Sequence, residues 1–89
     1  MRIVTARADL TGQREMVLAA DAGHAVGDIS CTQNFRFSQD IPPKIRPTML
    51  LCWRMSAQRS VYIITINTKG KPSQRETVAA INREWAKLG

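Results

Sequence analysis

The sequence predicts an α+β fold: an antiparallel sheet of three to five strands, with one C-terminal amphipathic helix packed on one face. Three observations carry that reading. Asp28–Ser38 has a period of two, with Ile29, Cys31, Phe35 and Phe37 at alternate positions. Thr48–Ser56 and Val61–Thr68 are rich in apolar, β-branched and aromatic side chains. From Gln74 to Leu88 the apolar spacing changes from two to three or four, the period of a helix.

From the N-terminus, Arg2–Arg7 (RIVTAR) reads as a short strand and Asp9–Gly12 as a turn. Glu15–Ala20 (EMVLAA) reads as a strand, because Gly12 and Asp21–Gly23 would cut a helix there to under three turns. Ala22–Gly27 reads as a loop. In Asp28–Ser38 the alternation puts Ile29, Cys31, Gln33, Phe35 and Phe37 on one face and the polar residues on the other. Gln39–Pro47 reads as a loop, since Pro42, Pro43 and Pro47 cannot donate to a sheet ladder.

Thr48–Ser56 is apolar on both faces, the mark of a central strand, with Met49, Leu51, Trp53 and Met55 on one side and Leu50 and Cys52 on the other. The short Ala57–Ser60 connection makes a hairpin with Val61–Thr68, which is again greasy on both faces. Lys69–Pro72 breaks the sheet. Ser73 and Glu76 have capping-box spacing, and Val78, Ile81, Trp85 and Leu88 form one stripe of the helix that follows.

The chain has 89 residues, read as one domain over 1–89. A chain of this size buries only about 60–65% of its unfolded surface, so a staple or a partner helps. Its 44% hydrophobic and 22% charged residues are ordinary globular values and argue against disorder. The longest apolar runs, Met49–Trp53 and Val61–Ile66, are strand-sized and far from the ~18 residues of a membrane span. MRIVTARADLTGQ lacks the continuous apolar core of an export signal. An extracytoplasmic or cell-surface location is therefore expected if the chain derives from a longer exported protein, and a cytoplasmic one otherwise.

Cys31 and Cys52 lie too far apart for a CxxC redox motif, and with His24 they fall short of a zinc set; no metal or cofactor is expected. A disulfide between neighbouring strands and a pair of buried free thiols both fit. A catalytic thiol would need an oriented histidine, and His24 has no evident partner beyond Asp21 or Asp28. If the bridge forms, both cysteines point to one side of the sheet, with Ile29, Phe35, Phe37 and Leu50. Met49, Leu51, Trp53 and Met55 then lie opposite and need a cover of their own, because one helix cannot serve both faces. Met16, Val17 and Leu18 on an N-terminal strand, a second copy of the chain, or a bound protein or small apolar ligand would each supply it.

The net charge of +6 suits an acidic partner, a membrane surface or nucleic acid, and also serves solubility. For nucleic acid, Arg36, Lys44, Arg46, Arg54 and Arg59 surround the sheet, but they are scattered and no RRM-type GFxF motif accompanies them. Asp9, Asp21, Asp28 and Asp40 occupy turns or strand edges and form no acid–base pair. No catalytic residue is assigned, and the chain reads as a non-enzyme.

The segments CTQNFRF, RPTMLLCWRMS, RSVYIITI and VAAINREWAKL resemble small exported or lipoprotein-type α+β domains of actinobacteria, in particular mycobacteria. The resemblance spans residues 27–88. It implies an extracytoplasmic location and a Cys31–Cys52 bridge, and no reaction. The expected function is a non-enzymatic extracytoplasmic domain that binds a protein or apolar ligand through Met49, Leu51, Trp53, Met55 and Arg54. The alternatives are a cytoplasmic domain that contacts nucleic acid through Arg36, Arg46, Arg54 and Arg59, and a small hydrolase or thiol enzyme.

Overall fold

The computed structural model describes residues 1–38 and 40–89. The elements, in chain order, are β1 (Arg2–Ala6), a 3₁₀ helix (Arg14–Leu18), β2 (His24–Val26), β3 (Ile29–Thr32), β4 (Asn34–Phe35), β5 (Lys44–Ile45), β6 (Met49–Met55), β7 (Ser60–Ile66) and α1 (Gln74–Leu88). Five strands form an antiparallel sheet in the order β1-β7-β6-β3-β2, and β4 pairs with β5 in a separate ribbon. The α+β architecture and the single C-terminal helix match the sequence reading. No helix among the described residues is long and apolar enough to cross a membrane.

β6 is the central strand, flanked by β7 and β3, so the two greasy strands β6 and β7 both lie inside the sheet. Cys31 stands directly opposite Cys52 across β3 and β6, and the two are joined in a disulfide. On their side of the sheet Ile29, Leu50, Val61 and Ile63 pack against Ala80, Ile81 and Trp85 of α1. The helix starts where Ser73 Oγ accepts from the Glu76 amide at 3.1 Å. Thr77, fully buried, ties that first turn to the sheet: its hydroxyl meets Thr65 Oγ1 at 3.2 Å and bonds the Ser73 carbonyl at 2.8 Å. At the other end Arg59 donates to the Trp85 carbonyl and Arg7 to the Leu88 carbonyl. Both guanidiniums thus sit at the negative end of the helix dipole, where unpaired carbonyls need donors. Arg59 also stacks on the Trp85 ring, 4.2 Å from its centre, and Arg54 does the same at 4.4 Å.

The opposite face carries a second core of Val4, Leu10, Met16, Phe35, Leu51, Tyr62 and Ile64. The chain therefore covers the Leu51 side itself, using the segment between β1 and β2 together with Phe35. Four sequence expectations change here. Glu15–Ala20 is not a strand: a 3₁₀ helix over Arg14–Leu18, bonded Met16 N to Gln13 O and Ala19 N to Met16 O, drops Met16 onto the sheet and turns Val17 outward. Ala22–Gly27 is not all loop, because His24–Val26 pairs with Ile29–Cys31 through a turn in which Gly27 takes φ +62°. Within the expected Gln39–Pro47 loop, Lys44–Ile45 pairs with Asn34–Phe35; Gln39 itself lies outside the described residues.

The fourth change matters most. Asp28–Ser38 does not run as one strand, and Phe35 is not on the disulfide face. The Thr32 hydroxyl accepts from the Asn34 amide at 3.0 Å, a side-chain bond that competes with the ladder and interrupts it at Gln33. The interruption shifts the alternation, so Phe35 crosses to the Leu51–Tyr62 side. Backbone bonds from Ala20 to Asn34 and from Arg36 to Leu18 hold it there, and Phe37 leaves the sheet altogether. Ser60 fixes the other end of this cover: its buried hydroxyl donates to the Ala8 carbonyl at 2.6 Å and accepts from the Leu10 amide at 3.0 Å.

Tyr62 is fully buried in this second core and donates to Glu15 Oε1 at 2.7 Å, while Arg2 pairs with the other Glu15 oxygen. The Tyr62 bond holds the Glu15 carboxyl below its ordinary range, with help from Arg2. Burial, then the bond to Glu15, pushes the Tyr62 phenol up. The two shifts bound stability from opposite sides. The depressed Glu15 value contributes stability above the ordinary glutamate range of about 4.3 and loses it as pH falls through the folded value. The raised Tyr62 value contributes below about 10 and loses it as pH rises through the folded value. Thermal melts across pH should show a plateau that falls at both ends. Tyr62→Phe should lower the plateau by about 1–2 kcal/mol, remove the alkaline fall and make the acid fall shallower.

Candidate functional site

The residues first expected to carry function are separated by the fold. Leu51 is fully buried under the second core. Trp53 lies half-buried toward β2, where its ring edge meets the backbone of Gly23. A Cβ on Gly23 would sit 2.9 Å from Trp53 Cη2 and 3.0 Å from the Cys31 carbonyl, and Gly23 has φ +75°, so only glycine suits the position. Met55 receives a contact from the Thr11 hydroxyl. Arg54 is on the helix side, shared between the Trp85 ring, Asn82 and Asp28. Met49 lines an open groove.

That groove, about 620 Å³, runs between Met49, Ile64 and Ile66 of the sheet and Leu18 of the 3₁₀ helix, with Arg2 and Glu15 at its edge. A second groove of about 430 Å³ is bordered by Val17, Leu18, Ala19, Ala20, Arg36, Phe37 and Ser38. Leu18 is common to both, so it forms a ridge between two shallow apolar channels that open to solvent. Val17 is 59%, Phe37 43% and Ile66 57% exposed on their rims. The Arg46 guanidinium lies 5.3 Å from the Phe37 ring centre, which stacks near Phe35 at 6.1 Å. The local cause is the 3₁₀ turn, which spends Met16 on the core and leaves Val17 outside, together with the Thr32 interruption that carries Phe37 away from the sheet.

Sequence reasoning missed this surface because it assigned Val17 to the cover and Phe37 to the disulfide face. The signal available was Ile66, an apolar strand end followed by the polar Asn67–Lys71 turn.

The chemistry-bearing residues do not converge. Cys31 and Cys52 are bonded to each other, and no cysteine is free among the described residues. His24 Nε2 lies 2.6 Å from Gln74 Oε1 on the helix side. The Asp21 carboxyl is held below its ordinary range chiefly by the Thr32 hydroxyl, and then by the Gly23 amide, Asn34 and nearby His24. These are the bonds of a turn-forming aspartate. Among the described residues no three His, Cys, Asp or Glu gather as a metal set. The arginines considered for nucleic acid divide into two groups: Arg54 and Arg59 on Trp85, and Arg36 and Arg46 beside Phe37.

No protein-family model, curated protein or solved structure matches this chain.

Proposed function

We propose that this is a non-enzymatic, extracytoplasmic binding domain that takes apolar side chains of a protein partner into the grooves on either side of Leu18. The observation that carries the reading is the pair of open channels meeting at that ridge, rimmed by Val17, Phe37 and Ile66. Large apolar side chains left exposed together on a small domain mark interaction surfaces. Small-molecule sites, by contrast, are concave enough to bury most of the ligand. Shallow channels fit the spaced side chains of a protein segment better. The buried cross-strand disulfide supports the extracytoplasmic reading, since such bridges persist where the surroundings are oxidising.

Selection of a random peptide library against the oxidised domain tests the proposal. Peptides with spaced apolar residues should be enriched, and Val17→Asp or Phe37→Asp should weaken their binding by about tenfold or more. Enrichment of peptides whose binding ignores both substitutions would overturn it. So would tight capture of a small apolar dye in these channels without any peptide binding.

A further inference from the structure

We infer that the end of the domain formed by Lys44–Arg46, Lys69–Lys71 and Arg75 docks on an anionic lipid surface, with Ile45 and Ile66 entering the headgroup layer. These segments are far apart in sequence but share one end of the fold. The Gln33 carbonyl accepts from the Arg46 amide at 2.8 Å, and the Gln33 side chain donates to the Pro47 carbonyl at 3.0 Å. Gln33 also lines a depression of about 470 Å³ together with Lys71 and Arg75. The Asn67 amide bonds the Thr48 carbonyl at 2.9 Å, tying the end of β7 to the start of β6.

Among the described residues, four of the five cations at this end are uncommitted, Arg46 alone being stacked on Phe37. Lys44, Lys69, Lys71 and Arg75 are exposed, and none makes an ion pair among the described residues. At the opposite end Arg7 and Arg59 are engaged on the helix terminus, Arg54 on Asp28 and Lys87 on Glu84. The acids near the basic end are Asp21, Asp40 and Glu76, fewer than the cations, and Asp21 is spent on its own turn. Ile45, between Lys44 and Arg46, is 58% exposed, and Ile66, three residues before Lys69 and on the rim of the larger groove, is 57% exposed. Aliphatic side chains interspersed with Lys and Arg suit the boundary between headgroups and acyl chains, where charge attraction and apolar insertion add. A single-stranded nucleic acid would instead need aromatic faces to stack on. Tyr62 is buried, Trp53 lies against Gly23, and Phe37 carries Arg46.

Co-sedimentation with phosphatidylglycerol–phosphatidylcholine vesicles, against vesicles of phosphatidylcholine alone, tests this. The domain should bind the anionic vesicles in a salt-dependent way and leave the neutral ones. The triple substitution Lys69→Gln, Lys71→Gln, Arg75→Gln should weaken binding on the order of a hundredfold, from about fivefold per cation. Ile45→Ser with Ile66→Ser should weaken it several-fold at unchanged salt dependence. Arg83→Gln, on the outer side of α1, should stay within about twofold of the parent. If the triple variant does not fold, Lys69→Gln alone carries the test at about fivefold. Equal binding to neutral vesicles would overturn the inference, as would no binding to anionic vesicles at low salt or an equal loss in Arg83→Gln. Tighter binding to a single-stranded oligonucleotide than to the vesicles would overturn it in favour of nucleic acid.

Discussion

Trp85→Ala is expected to cost about 3–5 kcal/mol of stability and to lower the thermal midpoint by upwards of about 15 °C. Trp85 is the largest side chain that α1 buries against the disulfide face, where it packs with Ile81 on Val61, Ile63 and Leu50. Its ring also holds Arg54 and Arg59, and the Arg59 bond to the helix end depends on that stack. Truncation therefore opens a cavity, frees two guanidiniums and loosens the cap of the helix C-terminus in one step. Trp85→Phe keeps a ring for the arginines and removes an indole N–H that has no acceptor among the described residues. It should cost only roughly 1 kcal/mol. Urea and thermal denaturation of the two variants check the pair. A cost below about 1 kcal/mol for Trp85→Ala would mean that the helix is not docked through this residue.

Removing the bridge, by reduction or by Cys31→Ala with Cys52→Ala, is expected to cost about 3 kcal/mol. The sulfurs join residues 21 apart in sequence, and closing a loop of that length removes a corresponding entropy from the unfolded chain. The bridge encloses the interruption at Gln33, the β4–β5 ribbon and the proline loop, all of which carry few ladder bonds of their own. Without it, the ordering of Phe35 over the second core rests on the backbone bonds to Leu18 and Ala20, the Thr32–Asn34 bond and the short β4–β5 pairing. Non-reducing and reducing denaturation curves should differ by that amount, with the reduced protein the less stable. Coincident curves would show that the bridge contributes nothing to the native balance.

Long periodic segments made the scaffold readable. β6 and β7 declare themselves by apolar residues on both faces, α1 by a stripe spaced for a helix and by Ser73, and β1 by its β-branched run. The placement of Met49, Leu51, Trp53 and Met55 on the face opposite Cys52 follows from alternation in β6, whereas the bridge itself stands beside two buried free thiols until the β3–β6 register sets Cys31 against Cys52. The short elements resisted reading because their conformation is set by partners. His24–Val26 and Lys44–Ile45 have only three and two residues and become strands through the neighbours they meet. Phe35 changed faces through a single hydroxyl, that of Thr32, which no hydrophobic pattern registers. The candidate surface was hidden for the same reason. Which of Met16, Val17, Leu18, Phe35 and Phe37 stay exposed depends on where the 3₁₀ turn and the interruption fall, and alternation in Asp28–Ser38 pointed the other way.

Backbone amide shifts, recorded as a library-selected peptide is added to the oxidised domain, test the binding account most directly. The largest changes should fall on Val17–Ala20, Arg36–Ser38 and Ile64–Ile66, around the two channels that meet at Leu18. Changes centred instead on Gly23, Trp53 and Met55 would place recognition on the other end of β6 and contradict it.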